Sequence, residues 1–405
     1  MNFSVTSAER LTLKSPDNQT AIELFLLDGE LKYQVTYQNR VFIEPSSLGL
    51  ETSLGDFTSA LTLQSHSYNE IAERYEMSNA KHSQFQYLAN TLSVTLANKK
   101  NDTLEVDVQV SNNNLAFRYG VRSNSGATRI KIFGESTSFN LPDDAATFIT
   151  SQALPETGWM QTKPSYEEPY TVYGTHSMSS ANNVGYTLPA LFEIKSKGWL
   201  LISETDLDSR YVGSRLGESG ADGNYPLLFP QEGENSGIGA TYAAMALPAK
   251  TPWRTITVGS DLSPIVETSI PYDLVTPRFS AKNRYKMGRA SWSWIVWQDE
   301  SIYYEDQIKY IDLAADLNLE YVLIDSLWDT QIGRNKIEQL AKYSATKNVE
   351  LMLWYNSNGW WNDAPQTPQD IMNNSAKRKK KWPGWSLLGS KVLRSIFLVA
   401  TNSKR

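Results

Sequence analysis

The alternation of apolar and polar residues divides the chain into two regions. From Val5 to about Ile270, short segments with an apolar residue at every second position are broken by Asn, Gly, Asp and Ser; AIELFLLDGELKYQVTYQNRVFIEP, from Ala21 to Pro45, is an example. A period of two places successive side chains on opposite faces of a strand, and frequent turns are typical of large antiparallel sandwiches. We therefore predict an N-terminal β-sandwich domain over residues 1–275.

After this region the pattern changes to alternating strands and helices. RASWSWIVW (Arg289 to Trp297), EYVLID (Glu320 to Asp325) and VELMLWYN (Val349 to Asn356) predict three buried strands. Two helices are predicted between them from apolar residues at helical spacing: Tyr304, Ile308, Ile311 and Ala315 in the first, and Ile337, Leu340, Ala341 and Ser344 in the second. This order predicts βα units on a parallel sheet.

The number of predicted βα units is small for a barrel. A complete (β/α)8 barrel takes about 250 residues, whereas Lys286 to Lys381 has room for only three units. We predict that residues 276–381 form the first part of such a barrel. The predicted fold class is therefore multidomain β plus α/β, with an N-terminal β-sandwich followed by an incomplete (β/α)8 TIM barrel.

Composition narrows the classes of function. The 405 residues carry a net charge of -6, which argues against nucleic acid as the main partner. No apolar run reaches the roughly 20 residues that a membrane span needs, and the first residues lack the pattern of a signal peptide. The chain has no Cys and only 3 His at scattered positions, so thiolate and histidine-rich metal sites are not expected. The 12 Trp and 21 Tyr suit sugar binding or simply large β cores.

Polar and aromatic residues follow the predicted strands of the second region. In βα domains reactive groups lie at the carboxyl ends of the strands, and carboxylates, amides and indole rings there suit a pyranose pocket. The alternative is that Asp325 and Asp329 cap the next helices. The candidate pocket residues are Trp292, Trp294, Asp325, Trp328, Asp329, Tyr355, Asn356, Asn358, Trp360 and Trp361.

Two acidic residues near the end of a predicted sandwich strand form a second candidate. Glu204 and Asp206 lie two positions apart in LISETDL, so we expect their side chains on the same side of the strand end. Two carboxylates there could help to hold Ca²⁺. The alternative is a pair of exposed acids without a ligand.

Four segments of the chain resemble glycoside hydrolase family 97, whose members are α-glucosidases and α-galactosidases of polysaccharide-degrading bacteria. They are TPWRTITVG, GRASWSW, YIDLAADLNLEYVLIDSLWD and LWYNSNGWWNDAPQTP, in the family's order and spacing. The resemblance covers the chain to about Arg378. It implies a β super-sandwich followed by a (β/α)8 catalytic barrel, and calcium-dependent hydrolysis of α-glucosidic or α-galactosidic bonds in oligosaccharides.

The resemblance also assigns roles to individual residues. Glu204 matches a calcium-binding Glu of the family's sandwich domain, and the pocket-bordering loops match at Trp292, Trp294, Asp325, Trp328 and Asn356. The family's catalytic carboxylates follow the third barrel strand, and no residue of this chain matches them. The resemblance therefore implies a family 97 enzyme whose 405-residue chain does not turn over substrate.

The final segment, residues 382–405, departs from the family's pattern. It can be written in codons that encode the family's fourth barrel strand when the reading frame moves by one base, so we interpret it as an aberrant, frameshifted tail. Family members are normally periplasmic, and a monomer that binds an oligosaccharide substrate is expected. A non-catalytic carbohydrate-binding protein built on the sandwich is the alternative, and a structural protein without sugar contacts ranks last.

Overall fold

The structure, a computed structural model, describes residues 9–77, 80–124, 126–155, 169–175, 178–220, 222–237, 239–278, 286–356 and 366–386. The chain divides into two compact units, with the boundary between Pro277 and Arg278. No helix among these described residues is both long and apolar enough to cross a membrane.

The first unit is built almost entirely of strands, in line with the predicted all-β region. Their bounds are β1 (Arg10–Lys14), β2 (Thr20–Leu27), β3 (Glu30–Tyr37), β4 (Arg40–Leu48), β5 (Leu50–Thr52), β6 (Gly55–Asp56), β7 (Thr62–Glu76), β8 (Gln84–Ala97), β9 (Thr103–Ser111), β10 (Asn114–Arg122), β11 (Arg129–Glu135), β12 (Ser138–Asn140), β13 (Ala145–Thr150), β14 (Tyr170–Thr175), β15 (Ala190–Ile194), β16 (Gly198–Thr205), β17 (Arg215–Leu216), β18 (Asn224–Leu228), β19 (Ala243–Ala246), β20 (Ala249–Lys250) and β21 (Trp253–Gly259). A short 3₁₀ turn spans Glu234–Gly237.

Two large sheets form the sandwich. One has seven strands in the order β1-β2-β3-β4-β12-β18-β17, and the other has ten, in the order β14-β13-β15-β16-β21-β10-β9-β8-β7 with β20 beside β10. Their inner faces share one core; the rings of Tyr33 and Phe117, one from each sheet, have centroids 5.4 Å apart. A smaller sheet has the order β19-β11-β5-β6. The predicted mostly β N-terminal domain is confirmed.

Strand β21 lies in the middle of the ten-stranded sheet, between β16 and β10, and every residue in it is buried. Its outer face is covered by two short helices, α1 (Ser263–Glu267) and α2 (Ile270–Asp273), and Ile270 packs with Trp253. The sequence pattern did not predict these helices. Each has Pro at its first or second position, where proline's fixed φ suits a helix start.

The second unit contains a parallel three-stranded sheet with helices. The strands are β22 (Ala290–Trp292), β23 (Tyr321–Ile324) and β24 (Glu350–Leu353), in that order across the sheet. The helices are α3 (Trp294–Trp297), α4 (Tyr304–Asp316), α5 (Trp328–Gln331), α6 (Arg334–Thr346) and α7 (Ser375–Ser386), with a 3₁₀ turn at Gln298–Ser301. Parallel βα units are thus present, and the incomplete (β/α)8 barrel stays a prediction.

The two long helices bury the faces that the periodicity predicts. In α6, Ile337, Leu340, Ala341 and Ser344 are all buried. In α4, Ile311 is buried, and Tyr304, Ile308 and Ala315 pack against the same core. Strand β23 is buried along its whole length, as expected of a parallel strand covered on both faces.

The predicted strand from Arg289 to Trp297 is wrong beyond Trp292. The chain turns into α3 there, and Ile295 and Val296 are exposed. Buried Ser293 accepts hydrogen bonds from Ser301 Oγ at 2.9 Å and from Gln307 Nε2 at 3.1 Å. These hydrogen bonds stabilise the turn after β22. The apolar residues Ile295, Val296 and Trp297 suggested a longer strand, but they lie in α3.

Residues at the end of the chain are described only in part. The predicted aberrant tail, residues 382–405, begins within α7, and its positions after Ser386 lie outside the described residues. The candidate pocket residues Asn358, Trp360 and Trp361 also lie outside them.

Candidate functional site

The carboxyl ends of β22 and β23 bring Trp292 and Asp325 together. The two strands pair in parallel with Trp292 beside Leu323, so residues just after each strand emerge at the same edge of the sheet. Trp292 Nε1 donates a hydrogen bond to Asp325 Oδ2 at 2.6 Å. The sequence predicted both as pocket residues, and the structure places them in contact.

Trp294 adds a second indole and a second carboxylate. The rings of Trp292 and Trp294 stack with centroids 5.8 Å apart and planes 17° from parallel. Trp294 Nε1 donates to Asp299 Oδ1 at 3.0 Å, and Ser326 Oγ donates to the same oxygen at 3.4 Å. We call Trp292, Trp294, Asp299, Asp325 and Ser326 the indole–carboxylate cluster. Both indoles are half-buried, so part of their surface is accessible.

Burial raises the pKa of Asp325, and the negative charge of Asp299 raises it further. Hydrogen bonds from Ser326 N, at 2.6 Å, and from Trp292 Nε1 act in the opposite direction because they stabilise the charged form. The pKa nevertheless stays above the ordinary value. The ionised form of Asp325 is therefore destabilised by its surroundings. A ligand hydroxyl group that donates a hydrogen bond to the carboxylate would stabilise that form.

Trp328 and Asn356, which follow β23 and β24 in the chain, are buried. Trp328 is 1% exposed, and its Nε1 donates to the carbonyl oxygen of Trp354 at 2.8 Å. Asn356 Nδ2 donates to Gln366 O at 3.1 Å, and its backbone N–H donates to Pro368 O at 2.9 Å. Both residues hold loops in place in the described structure, and their assignment to substrate binding stays a prediction.

Neither acidic residue at this edge caps a helix. Asp325 bonds Trp292 and Ser326, whereas α5 starts after Leu327 without a side-chain cap. Asp329 Oδ1 accepts a hydrogen bond from Thr367 Oγ1 at 2.6 Å. The capping alternative is therefore not found.

Glu204 belongs to a buried ionic network in the first unit. Arg254, on β21, lies beside Glu204 of β16 in register, and its Nη1 donates to Glu204 Oε2. The same guanidinium donates to Glu135, from Nη2 to Oε1 at 2.5 Å and from Nε to Oε2 at 3.3 Å. Ser214 donates to both oxygens of Glu204, from Oγ at 2.6 Å and from N at 3.2 Å. Tyr211 completes this guanidinium cluster of Glu135, Glu204, Tyr211, Ser214 and Arg254, since its hydroxyl donates to Glu135 Oε1 at 2.8 Å.

Charge balance keeps Arg254 protonated. Burial lowers the pKa of Arg254, but the charges of Glu135 and then Glu204 outweigh it, so the pKa lies above its usual value. One guanidinium lies between two carboxylates, which leaves the cluster with a formal excess of one negative charge.

Asp206 does not join Glu204. Its carboxylate lies 4.0 Å from Arg118 Nη1, and the guanidinium of Arg118 lies 4.1 Å from the ring centroid of Trp253. Trp253 and Arg254 are neighbours in one strand and point to opposite faces. Glu204 and Asp206 therefore face opposite sides of the sheet, and the prediction of a same-side pair is wrong. The reason is the left-handed backbone of Asp206, with φ of 65°, which ends the strand's alternation.

Comparison with known protein families shows which family this chain belongs to. A family model described as Glycosyl-hydrolase 97 N-terminal matches residues 13–277. The chain belongs to glycosyl-hydrolase family 97. The predicted membership of family 97 is thereby confirmed; of the four sequence segments, TPWRTITVG lies within the matched residues.

Three proteins similar to this chain are named as glycosidases. The crystal structure of a beta-arabinopyranosidase is 41% identical, with a TM-score of 0.93, and the match covers 98% of this chain and 63% of that one. A Streptomyces bingchenggensis protein named "Probable retaining alpha-galactosidase" is 26% identical over 83% of this chain and 51% of its own length. The retaining alpha-galactosidase of Bacteroides thetaiotaomicron is 24% identical, over 87% and 56% respectively. The chain thus spans about half the length of the curated relatives it matches.

A family 97 calcium site is not assembled by the described residues alone. Across the ranges that the structure describes, no three acidic or histidine side chains are grouped so that they could hold a metal ion. Both oxygens of Glu204 accept hydrogen bonds, from Ser214 and Arg254. Calcium and the role of Glu204 as its ligand stay predictions.

Sequence reasoning missed six members of the two clusters, namely Asp299, Ser326, Glu135, Tyr211, Ser214 and Arg254. Asp299 gives no periodic signal, because it lies in the 3₁₀ turn after α3. Glu135 and Arg254 are 119 positions apart and belong to different sheets, β11 of the small sheet and β21 of the ten-stranded sheet, so they meet only in the folded domain. One signal was available: Arg254 is the single charged residue of the segment TPWRTITVG, and a charge within a buried strand indicates an ion pair, since buried charges are normally paired.

Proposed function

We propose that this chain supplies the sugar-binding edge of a family 97 glycoside hydrolase, and that the indole–carboxylate cluster binds a galacto-configured pyranoside. The observation that carries the proposal is the 2.6 Å hydrogen bond between Trp292 Nε1 and Asp325 Oδ2 beside the stacked ring of Trp294. It fixes a carboxylate next to an aromatic face, which are the two features that a pyranose pocket requires.

The cluster's hydrogen bonding suits sugar hydroxyls. Each carboxylate uses lone pairs for an indole N–H, and a carboxylate has about four acceptor positions in all. The positions that are left can accept hydrogen bonds from hydroxyl groups. The half-buried indoles offer apolar surface for the C–H groups of the ring.

The named relatives favour a galacto configuration over a gluco configuration. Two are named as α-galactosidases and one as a β-arabinopyranosidase. A β-L-arabinopyranoside and an α-D-galactopyranoside share the configuration of carbons 1 to 4 and differ by the hydroxymethyl group. One pocket edge can therefore serve both, while α-glucosides, also expected from the resemblance, differ at carbon 4.

Hydrolysis needs a catalytic pair in addition to this edge. Glycosidases use two carboxyl groups, one as acid and one as nucleophile or base. Asp299 and Asp325 each accept an indole N–H, which suits holding a ring rather than attacking it. We therefore expect no turnover by the 405-residue chain itself, as the resemblance implied.

Calorimetric titration of the purified chain tests the binding proposal. Methyl α-D-galactopyranoside and methyl β-L-arabinopyranoside should bind, and methyl α-D-glucopyranoside should bind more weakly. Trp292→Ala should weaken binding about tenfold, equal to about 1.4 kcal/mol. Trp297→Ala is the matched control, because Trp297 is exposed on the adjacent helix. Equal affinities of Trp292→Ala and the unchanged chain would contradict the proposal.

The nucleotide sequence that encodes Arg378 to Trp382 separates the hydrolase from the non-catalytic alternative. A neighbouring frame that continues through further βα units supports a hydrolase gene. Early stop codons in both other frames support a sugar-binding protein without catalysis. Release of p-nitrophenol from p-nitrophenyl α-D-galactopyranoside by the 405-residue chain would contradict the expected lack of turnover.

Calcium is proposed as the ion, with Glu204 as one of its ligands. The support is the formal excess of negative charge in the guanidinium cluster, since Glu135 and Glu204 share one Arg254. Further oxygen ligands would be needed, because Ca²⁺ takes 6–8 oxygens. Equilibrium dialysis against ⁴⁵Ca²⁺ should show binding that Glu204→Gln abolishes and Asp206→Asn preserves.

A periplasmic location and a monomeric state are also proposed, from the family resemblance alone. Fractionation of the native host with an antibody against the sandwich tests the first. Sedimentation equilibrium tests the second, and a mass of twice 45.6 kDa would contradict it.

A further inference from the structure

A groove lies along one edge of the first unit. It opens where β1, at the edge of the seven-stranded sheet, approaches the β7–β8 hairpin, at the edge of the ten-stranded sheet. Its volume is about 430 Å³, within the range of ligand sites. The side chains and backbone that line it include Thr12, Lys14, Tyr68, Asn69, Glu70 and Asn90.

The groove lies at the base of the long β7–β8 hairpin. Strands β7 and β8 have 15 and 14 residues, whereas β9 has only 9 and leaves β8 at Ala89. The hairpin therefore projects past its neighbour from this level onward. Asn90 Nδ2 donates to the carbonyl oxygen of Lys14 at 2.8 Å, which ties the end of β1 to the hairpin and fixes the groove's floor.

The strand register places three useful side chains on one face of the hairpin. Tyr68 and Glu70 alternate along β7 and so share a face, and Asn90 lies opposite Glu70 in the register. Tyr68 is 48% exposed, and His66 meets its ring edge-on, with centroids 5.7 Å apart. An aromatic face, a carboxylate and an amide are thus presented together.

The residues that line the groove carry charges of both signs, and the carboxylate of Glu9 also acts on Tyr68. Glu70 contributes an acceptor and Lys14 a donor, and both are exposed. A ligand that carries many hydroxyl groups and no net charge can donate to the first and accept from the second. A charged ligand would meet one attractive group and one repulsive group.

We propose that this groove is a surface site for a neutral oligosaccharide, in which Tyr68 packs against a sugar ring. The open shape suits a chain that extends beyond the site on both sides. The choice of sugars rests on the proposed function, whereas the site itself rests on the groove. A peptide that pairs with the edge of β1 or β7 is the competing ligand, and it would use backbone groups instead of the ring of Tyr68.

Hydrogen exchange measured by mass spectrometry locates the site directly. Raffinose and maltotetraose are added to the full chain at millimolar concentration, as an α-galactoside and an α-glucan. Binding should slow exchange in peptides from β1 and β7. Exchange that changes only in peptides from the second unit, or nowhere, would overturn the proposal.

Calorimetry with variants identifies the contact. In a Trp292→Ala background, which weakens the indole–carboxylate cluster, Tyr68→Ala should lower the remaining affinity at least tenfold. Tyr170→Ala is the matched control, since Tyr170 is 70% exposed on the opposite edge strand of the same sheet. Loss of affinity in the control, or none in Tyr68→Ala, would contradict the site. Turnover is not measured, so failure here leaves the proposed function intact.

Discussion

The guanidinium cluster and the indole–carboxylate cluster each hold two carboxylates in a sheltered place, but with different donors. In the first, Arg254 supplies a positive charge to Glu135 and Glu204. In the second, Asp325 receives neutral N–H groups from Trp292 and Ser326. The difference appears in the titration behaviour: the pKa of Arg254 is raised because its partners stabilise its charge, and the pKa of Asp325 is raised because burial destabilises its charge.

This difference separates a scaffold from a binding site. A guanidinium pairs with carboxylates through charge-assisted hydrogen bonds and fixes them in one geometry. Indole N–H groups position a carboxylate without neutralising it, so the carboxylate still gains from a hydroxyl donor. We infer that Arg254 and Glu135 contribute mainly to stability, and that the indole–carboxylate cluster is poised to bind a neutral ligand with hydroxyl groups.

Replacing Arg254 should produce the largest effect on stability. Arg254→Met leaves two sheltered carboxylates without their cation and should lower the free energy of unfolding by about 3–5 kcal/mol. Arg254→Lys should recover part of the loss, since an ammonium keeps the charge but lacks the fork. Urea denaturation followed by far-UV circular dichroism measures both.

Arg10 provides the control for that experiment. Arg10 Nη1 lies 2.8 Å from Glu23 Oε2 at the surface, with the two side chains 54% and 35% exposed. Arg10→Met should therefore change the free energy of unfolding by less than about 1 kcal/mol. Similar losses in the free energy of unfolding for Arg10→Met and Arg254→Met would contradict the larger contribution expected of the buried network.

Replacing a buried indole of the second unit should lower the free energy of unfolding more than replacing a half-buried one. Trp328→Phe leaves the buried carbonyl of Trp354 without its 2.8 Å hydrogen bond and should cost about 2 kcal/mol. Trp294→Phe should cost less than about 1 kcal/mol, because water can replace the lost donor to half-buried Asp299. Far-UV circular dichroism in urea measures both variants. A larger loss for Trp294→Phe would mean that Trp294 is the structural residue and would favour Trp328 as the pocket residue.

Local periodicity was enough to predict the main elements. The buried face of α6 follows directly from Ile337, Leu340, Ala341 and Ser344 at helical spacing. Asp325 could be placed at a sheet edge because it follows the apolar run of β23. Such predictions need only neighbouring residues, since the hydrophobic pattern and the strand end lie in one short segment.

Contacts between distant segments could not be predicted in this way. Glu135 reaches Arg254 across the packing of two different sheets, and Asp299 reaches Trp294 because α3 ends the strand early. The backbone of Asp206 turns left-handed after β16, which no alternation pattern contains. In each case the deciding interaction depends on tertiary structure, which can override local preference.

The pH dependence of stability gives the smallest and most specific test of the comparison. The raised pKa of Asp325 means that the folded chain holds this proton at pH values where the unfolded chain, with a pKa of about 3.9, has released it. Stability therefore falls as pH rises from the unfolded pKa through the folded one. The free energy of unfolding of the unchanged chain, relative to Asp325→Asn, should decrease over that window. Asp299→Asn should lessen the decrease, because the charge of Asp299 is one of its causes. The opposite result, a gain in stability of the unchanged chain relative to Asp325→Asn as pH rises, would mean that the hydrogen bonds from Trp292 and Ser326 outweigh burial. The charged form of the carboxylate would then be stabilised in both clusters, and the difference between them would disappear.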